Sequence, residues 1–317
     1  MIAFLFPGQG AQQVGMGRAL TEAFPEARAT FEEADAAFSA ESVHPSSLTT
    51  LCFEGPEDQL RLTEYTQPAI LTVSVAAARV LASRGIQPNF VAGHSLGEYS
   101  ANVVAGTFAF ADAVAVVRRR GRYMQEAVPV GQGAMTAIIG LDVDAVRLAC
   151  EDAAQGDVVS PANINSQDQV VIAGSAAAVE RAGVLAKARG AKRVIALPVS
   201  APFHCALMKP AEERLAPELR ALAIQAPRVP VVANVDADLK RDGGEAVEAL
   251  VRQVSSPVRW EEIVRRLASE GVTTYVEVGV GRVLSGLVRK IHKDAKVVAF
   301  GSPEDLSAVE QALGSTT

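Results

Sequence analysis

The stretch VAGHSLGEYS, residues 91–100, constrains the fold more than any other part of the chain. In it, an apolar run of strand character ends at a serine flanked by glycines, and a run of helical character follows. This G-x-S-x-G pattern predicts a nucleophile elbow, a strained turn that presents Ser95 between a buried strand and a helix. Gly93 and Gly97 allow strand and helix to approach because neither has a Cβ atom. The bare motif also occurs in ordinary turns, but its strand and helix context favours the nucleophile.

Two backbone N–H groups are candidates for binding a developing negative charge. The N–H of Leu96 lies at the start of the predicted helix, where it lacks a helical acceptor and the helix dipole favours an anion. The second is the N–H of Gln9, in the glycine-rich loop 7–17 after the first predicted strand. That loop does not match a nucleotide-binding loop, because Gln13 stands where the dinucleotide pattern has glycine and no Gly-Lys-Ser/Thr follows. An ordinary turn is the alternative for Gln9.

Strand-like and helix-like segments alternate over most of the chain, which is typical of an α/β fold with helices on both faces of the sheet. Residues 127–197 differ, because their order β-α-β-β-α-β is that of a ferredoxin-like domain. We therefore predict a large α/β-hydrolase-like domain, residues 1–126 and 198–317, with a mostly parallel sheet that carries the elbow. The small ferredoxin-like domain is inserted into it, and a cleft between the two lies over Ser95.

Composition argues against several classes of function. A chain of 317 residues with 49% hydrophobic residues can bury a large core, and a formal net charge of −6 argues against nucleic-acid binding. Cys52, Cys150 and Cys205 lack the spacing of a zinc site or a disulfide framework and suit a reducing cytosol. Neither a signal peptide nor an apolar run of about 18 residues is recognisable. We expect a cytoplasmic protein that binds no metal, nucleic acid or membrane.

Arg120 is unusual because it falls within the apolar stripe of the helix predicted from Asp112 to about Glu126. A guanidinium does not lose its proton and is costly to bury without a partner. Three partners remain open: an internal carboxylate, water reached by a snorkelling side chain, or a substrate carboxylate held by the two-donor fork. The third predicts a substrate that carries an acid group.

The chain has only four histidines, so a base for Ser95 can be sought by elimination. His94 adjoins the serine and should project away from it. His44 lies in a polar loop, and His292 lies among basic residues near a helix end. His204 stands in an apolar loop before a helix, where a neutral imidazole can reach a hydroxyl. A core histidine with a structural role is the alternative for His204.

Several short motifs, taken together and in this order, resemble the malonyl-CoA:acyl-carrier-protein transacylase family. They span nearly the full chain, and the set is far more specific than any one of them. The motifs are FPGQG (6–10), GHSLGEY (93–99), RG (120–121), QEAVP (125–129), VVIAG (170–174), PFH (202–204) and EVG (277–279).

The resemblance implies a role for each candidate residue. Ser95 is the nucleophile, His204 its base and Arg120 the clamp for the malonyl carboxylate. The backbone N–H groups of Gln9 and Leu96 form the oxyanion hole. The enzyme moves malonyl from coenzyme A to the phosphopantetheine thiol of acyl carrier protein, for fatty-acid or polyketide synthesis, through a malonyl-serine intermediate. It needs no cofactor, and a monomer is usual for the family.

The resemblance also concerns substrate binding around the histidine. It implies that Gln253 lies beside His204, whose ring is oriented by a backbone carbonyl instead of an acid. Phe203 and Leu96 lean towards malonyl over branched acyl units. The chain departs from many relatives at Ala11 and around the histidine, but no catalytic group is lost.

Two other functions compete with malonyl transfer. A serine acyl hydrolase or thioesterase could use the same elbow, but its pocket has no use for Arg120. A catalytically silent module that docks carrier protein would be expected to lack Ser95 or His204.

Basic residues are the candidates for docking an acidic carrier protein, and a solvated charged face is their alternative. We expect them on the basic side of the cleft, in two clusters. The first is Lys187, Arg189, Lys192 and Arg193, and the second is Arg282, Arg289, Lys290 and Lys293.

Overall fold

The computed structural model describes residues 1–41, 46–199 and 201–314, so His44 lies outside the described residues. The strands are β1 (Ile2–Phe6), β2 (Phe90–Gly93), β3 (Gly133–Ile139), β4 (Val159–Ser166), β5 (Gln169–Ser175), β6 (Arg193–Ala196), β7 (Val231–Val232), β8 (Leu239–Lys240), β9 (Thr274–Val278) and β10 (Lys296–Phe300). The helices are α1 (Arg18–Ala23), α2 (Pro25–Glu41), α3 (Leu48–Glu54), α4 (Glu57–Leu60), α5 (Thr63–Ser83), α6 (Gly97–Ala105), α7 (Phe110–Glu126), α8 (Val143–Ala154), α9 (Ala176–Ala188), α10 (Lys209–Arg220), α11 (Gly243–Gln253), α12 (Trp260–Ser269), α13 (Val283–Ile291) and α14 (Leu306–Leu313).

The larger sheet has the strand order β10-β9-β1-β2-β7-β8, and all neighbours are parallel except β7 and β8. Alternate residues of β1 enter different cores: Phe4 and Phe6 pack in one, Ala3 and Leu5 in the other. Both faces of this sheet are therefore buried, as expected when successive side chains of a parallel strand point to opposite sides.

The smaller sheet is antiparallel, in the order β4-β5-β3-β6. Residues of α8 and α9 pack on one face of it, while Met135 and Ala173 on the other face join the main core. The small sheet is also bonded to the rest of the chain, because Val258 N donates to Ala162 O and Ile164 N donates to Val258 O. These bonds fix β4 beside the segment that precedes α12.

The predicted fold class is confirmed: a mostly parallel sheet lies beside a small antiparallel sheet with the β-α-β-β-α-β order. Two predicted elements need correction. The strand expected over 229–235 has only two residues, because the chain turns back into the antiparallel β8. The helix expected from Pro257 begins at Trp260, because Val258 bonds to β4. In the described residues, no helix has the length and apolar character needed to cross a bilayer.

Candidate active site

The elbow is built as the motif predicts, at the carboxyl end of β2. Ser95 has a φ of +52°, in the left-handed region that side-chain-bearing residues rarely occupy. A Cβ atom on Gly93 would lie 1.9 Å from the carbonyl carbon of Gly97, and one on Gly97 would lie 2.0 Å from the oxygen of Phe6. Both glycines are therefore required by close backbone contacts.

Asn234, in the turn that follows β7, holds the strained backbone around Ser95. Its Oδ1 accepts from the N–H of Ser95 at 2.7 Å, and its Nδ2 donates to the carbonyl of Gly93 at 2.7 Å. Its own backbone N–H donates to Glu98 at 3.0 Å. Sequence reasoning missed Asn234, although its place directly after the strand next to β2 was a usable signal, since parallel strands end at the same edge of a sheet.

Ser95 and His204 are in direct contact: the Ser95 Oγ lies 2.6 Å from the His204 Nε2. The His204 Nδ1 lies 3.0 Å from the backbone carbonyl of Gln253. Because a carbonyl only accepts, Nδ1 carries the proton and Nε2 is free to accept one from the serine. Burial, with a contribution from the charge of Arg120, lowers the pKa of His204 to about 3, so the ring is neutral at neutral pH.

Arg120 is fully enclosed on α7, with 2% of its surface exposed. Its Nη1 donates to Gln67 Oε1 at 2.8 Å, its Nη2 donates to Gln253 Oε1 at 2.9 Å, and Nη2 lies 3.3 Å from the Ser95 Oγ. Its guanidinium also lies over the ring of Tyr99, 5.2 Å from the centroid. Within the described residues no carboxylate pairs directly with Arg120, and the side chain does not reach solvent.

A cavity of about 530 Å³ opens in front of Ser95. Gln9, Leu96 and Phe203 line it, as predicted for residues that meet a substrate. Among the described residues that line it, the side chains of permanent charge are Arg120, beside the serine, and the exposed Arg61, which pairs with Glu57 at 2.6 Å. Arg120 therefore has no carboxylate beside it in the described lining, which suits an anionic ligand.

The predicted oxyanion donors, Gln9 and Leu96, line the cavity, whereas Gln253 lies behind it. In the described part of the chain, neither the Gln9 N–H nor the Leu96 N–H donates to a protein acceptor. Gln253 does not line the cavity and is fully buried behind it, where its amide donates to the Ser95 carbonyl at 2.9 Å. Gln253 contacts Ser95, His204 and Arg120, and a contact between Gln253 and the substrate stays a prediction.

None of the predicted carrier-docking residues lines the cavity. Arg189 pairs with Asp152, and Arg282 pairs with Asp305 at 2.9 Å. Exposed ion pairs of this kind are typical of a solvated face. The remaining residues of the first cluster, Lys187, Lys192 and Arg193, are exposed.

The residues of the second cluster lie at opposite ends of α13: Arg282 precedes its first turn, and Arg289 and Lys290 are in its last turn. This helix runs from the carboxyl edge of the large sheet, where Ser95 lies, back to the opposite edge. At that opposite edge Arg289 donates to the carbonyl of Val297 at 3.0 Å, and Lys290 lies 3.4 Å from Gln169 of the small sheet. Arg289 and Lys290 therefore lie towards the amino ends of the parallel strands, and their part in docking a carrier stays a prediction.

A serine–imidazole pair beside a buried guanidinium, on a mostly parallel sheet, defines an acyl-transferring enzyme. Residues 3–305 match the acyl transferase domain family, and the chain belongs to that family. The malonyl CoA-acyl carrier protein transacylase of Escherichia coli is 51% identical over 307 residues, covering 96% of this chain and 97% of the relative. The predicted resemblance to this family of transacylases is confirmed.

Solved structures agree with this assignment. The acyl carrier protein S-malonyltransferase of Vibrio cholerae is 50% identical with a TM-score of 0.93, covering 97% of this chain and 99% of that one. A malonyl-transacylase solved in complex with a type II PKS acyl-carrier protein is 46% identical with a TM-score of 0.94, covering 98% of this chain and 99% of that one.

Proposed function

We propose that this enzyme transfers malonyl from malonyl-CoA to the phosphopantetheine thiol of acyl carrier protein. The observation that carries the proposal is the buried Arg120 guanidinium, which among the described residues donates hydrogen bonds only to neutral groups and lies 3.3 Å from the Ser95 hydroxyl. A carboxylate held there would complete the charge balance and bring the neighbouring thioester to Ser95. The similarity to malonyl CoA-acyl carrier protein transacylases supports the same substrate pair.

In the first half-reaction Ser95 Oγ attacks the thioester carbonyl carbon while His204 Nε2 takes the hydroxyl proton. The oxyanion that forms is bound by the N–H groups of Gln9 and Leu96. When the carbon–sulfur bond breaks, His204 returns the proton to the coenzyme A sulfur. The product is a malonyl ester on Ser95.

The second half-reaction reverses these roles. His204 takes the proton of the carrier's pantetheine thiol, the sulfur attacks the malonyl ester, and Ser95 leaves with that proton. Atoms and charges balance without electron transfer, so we propose that no redox cofactor or metal takes part. Arg120 holds the malonyl carboxylate through both halves.

The competing functions fit the site less well. A hydrolase or thioesterase for uncharged acyl groups would leave Arg120 buried without a ligand. A silent docking module has no need for Ser95 and His204 at 2.6 Å from each other. The cavity wall at Phe203 and Leu96 supports a compact acyl group such as malonyl.

The finer points of partnership are also proposals. We propose a monomer that works in the cytoplasm and meets its carrier in fatty-acid or polyketide synthesis. Of the predicted docking residues, Arg282 directly precedes α13 at the same sheet edge as Ser95, which supports it as a contact for a carrier whose thiol must enter the cavity.

Intact mass spectrometry tests the proposed function. The wild type incubated with malonyl-CoA should gain one malonyl group and lose it on addition of phosphopantetheinylated carrier protein. Ser95→Ala should show no adduct while keeping its thermal unfolding transition, because it removes one hydroxyl from a small site. Retention of an adduct by Ser95→Ala, or loss of the wild-type adduct to water as fast as to carrier, would contradict malonyl transfer.

A further inference from the structure

Glu98 is a buried acid that the reaction steps above do not use. It lies one turn after Ser95 on α6, and only 1% of its surface is exposed. Its Oε2 accepts from Gln253 Nε2 at 2.7 Å and from the backbone N–H of Asn234 at 3.0 Å. Among the described residues it has no ion-pair partner. A carboxylate is costly to bury in this way, so its retention beside the active serine calls for a reason.

The Gln253 amide connects Glu98 to Arg120. Its Oε1 accepts from the guanidinium at 2.9 Å, while its Nε2 donates to the carboxylate at 2.7 Å. The anion and the cation are thus separated by one neutral amide. A direct ion pair would occupy the donor fork, whereas this arrangement balances part of the charge and leaves Arg120 Nη2 beside the Ser95 hydroxyl.

We infer that Glu98 is a positioning residue that sets how strongly Arg120 holds the substrate carboxylate. When Glu98 is ionised, it weakens the guanidinium's attraction for the malonyl group through Gln253. The clamp then binds malonyl firmly enough to orient it and weakly enough to release malonyl-carrier. This inference rests on the proposed function and adds a group that tunes it.

The ionisation of Glu98 falls in an accessible pH range. Burial raises the pKa of Glu98 to about 7, against the opposing effect of the hydrogen bonds from Gln253 and Asn234. Below that pH the carboxyl is neutral and Arg120 attracts the substrate anion fully. Above it the carboxylate is charged and the attraction is weaker, so the KM for malonyl-CoA should rise with pH.

The ionisable groups Arg120, Tyr99, His204 and Asp236, which surround Glu98 in the described part of the chain, each keep one charge state between pH 6 and 8.5. Arg120 keeps its proton, and burial raises the pKa of Tyr99 to about 12. Burial lowers the pKa of His204 to about 3. Asp236 stays ionised because it pairs with Lys240 at 2.9 Å and with Arg252 at 3.0 Å.

Glu98→Gln is the test, because the amide keeps an oxygen acceptor for Gln253 and Asn234 and removes only the charge. Malonyl-CoA and acetyl-CoA would be compared by measuring kcat and KM at pH 6 and pH 8.5. In the wild type, the KM for malonyl-CoA should rise about tenfold between these pH values, the effect of one partly screened charge. In Glu98→Gln it should stay at the wild-type value for pH 6, and acetyl-CoA should show no such rise in either protein.

A purely structural role gives a different pattern. It would lower activity with both substrates by the same factor and leave the pH profile unchanged in shape, which would overturn the inference. Arg120→Ala provides a second measurement that does not depend on Glu98→Gln folding: without the cation, the KM for malonyl-CoA should be independent of pH. If the wild type transfers malonyl but its KM shows no pH dependence beyond that for acetyl-CoA, the inference fails and the proposed function stands. If the wild type forms no malonyl adduct, the proposed function itself fails.

Discussion

The charged groups near Ser95 differ from those on the surface in their partners: Arg120 and Glu98 both bond to a neutral amide, whereas surface charges such as Arg220 pair with an opposite charge. On the surface, Arg220 forms a two-bond pair with Glu248 at 2.6 and 2.8 Å, and both side chains are about half exposed. At the centre, Arg120 and Glu98 are both buried and meet only through an amide. Exposed pairs typically contribute about 0–1 kcal/mol, whereas an uncompensated buried charge costs several kcal/mol.

The difference shows how burial and pairing together indicate function. A surface ion pair can be exchanged with water at little cost, so it carries little information about a ligand. Gln67 and Gln253 supply neutral oxygens to the two terminal nitrogens of Arg120 without cancelling its charge, and among the described residues its Nε has no hydrogen-bond partner. The central cation is therefore hydrogen-bonded but still able to attract an anion, whereas most of the charge of Arg220 is balanced by Glu248.

The largest effect that would test this comparison is expected from Arg120→Ala. Removal of one partner of a buried charge pair should cost about 3–5 kcal/mol for malonyl-CoA, or about two to four decades in kcat/KM. Acetyl-CoA has no carboxylate for Arg120 to bind, so its kcat/KM should change little when Arg120 is removed. Arg120→Lys should recover only part of the loss, because an ammonium lacks the planar fork. An equal fall for both substrates would identify Arg120 as structural.

A smaller effect is expected when a carboxylate is placed directly against Arg120, which gives this buried arginine the kind of ion pair that the surface arginines have. Gln67→Glu places a carboxylate 2.8 Å from Arg120 Nη1, in the position of the present amide oxygen. The new ion pair should compete with the substrate and lower kcat/KM for malonyl-CoA by about one to two decades. Gln67→Leu is the control that removes the acceptor without adding charge, and it should cost less. If Gln67→Glu retains wild-type selectivity for malonyl-CoA over acetyl-CoA, a direct anion does not block the clamp.

The smallest effects are expected at the exposed basic residues. Arg282→Glu should raise the KM for carrier protein a few-fold and reduce its dependence on salt, with acylation by malonyl-CoA unchanged. Lys290→Glu should do less, because Lys290 lies at the sheet edge opposite Ser95. Arg220→Glu, outside both clusters, is the control for net charge. Equal carrier kinetics in all three variants would place docking elsewhere on the surface.

The parts of the site that lie within one local pattern could be predicted from the sequence. The elbow around Ser95 depends on residues two positions apart, and the burial of Arg120 follows from the periodicity of one helix. Asn234 and the side-chain contacts of Gln253 could not be predicted in this way, because they join residues 139 and 158 positions apart along the chain. Periodicity reports which face of an element is buried, but it does not report which distant amide meets that face.

The bonds from Asn234 to the elbow have a consequence for the order of events during synthesis. The turn that holds Ser95 leaves the ribosome well before Asn234, and His204 finds its carbonyl partner only when Gln253 has also been made. A strained backbone persists only when its surroundings hold it in place. Incomplete chains therefore carry a serine that is neither aligned nor supplied with a base. The paired and supported Ser95–His204 site can therefore form only after residue 253 of the 317 has been synthesised.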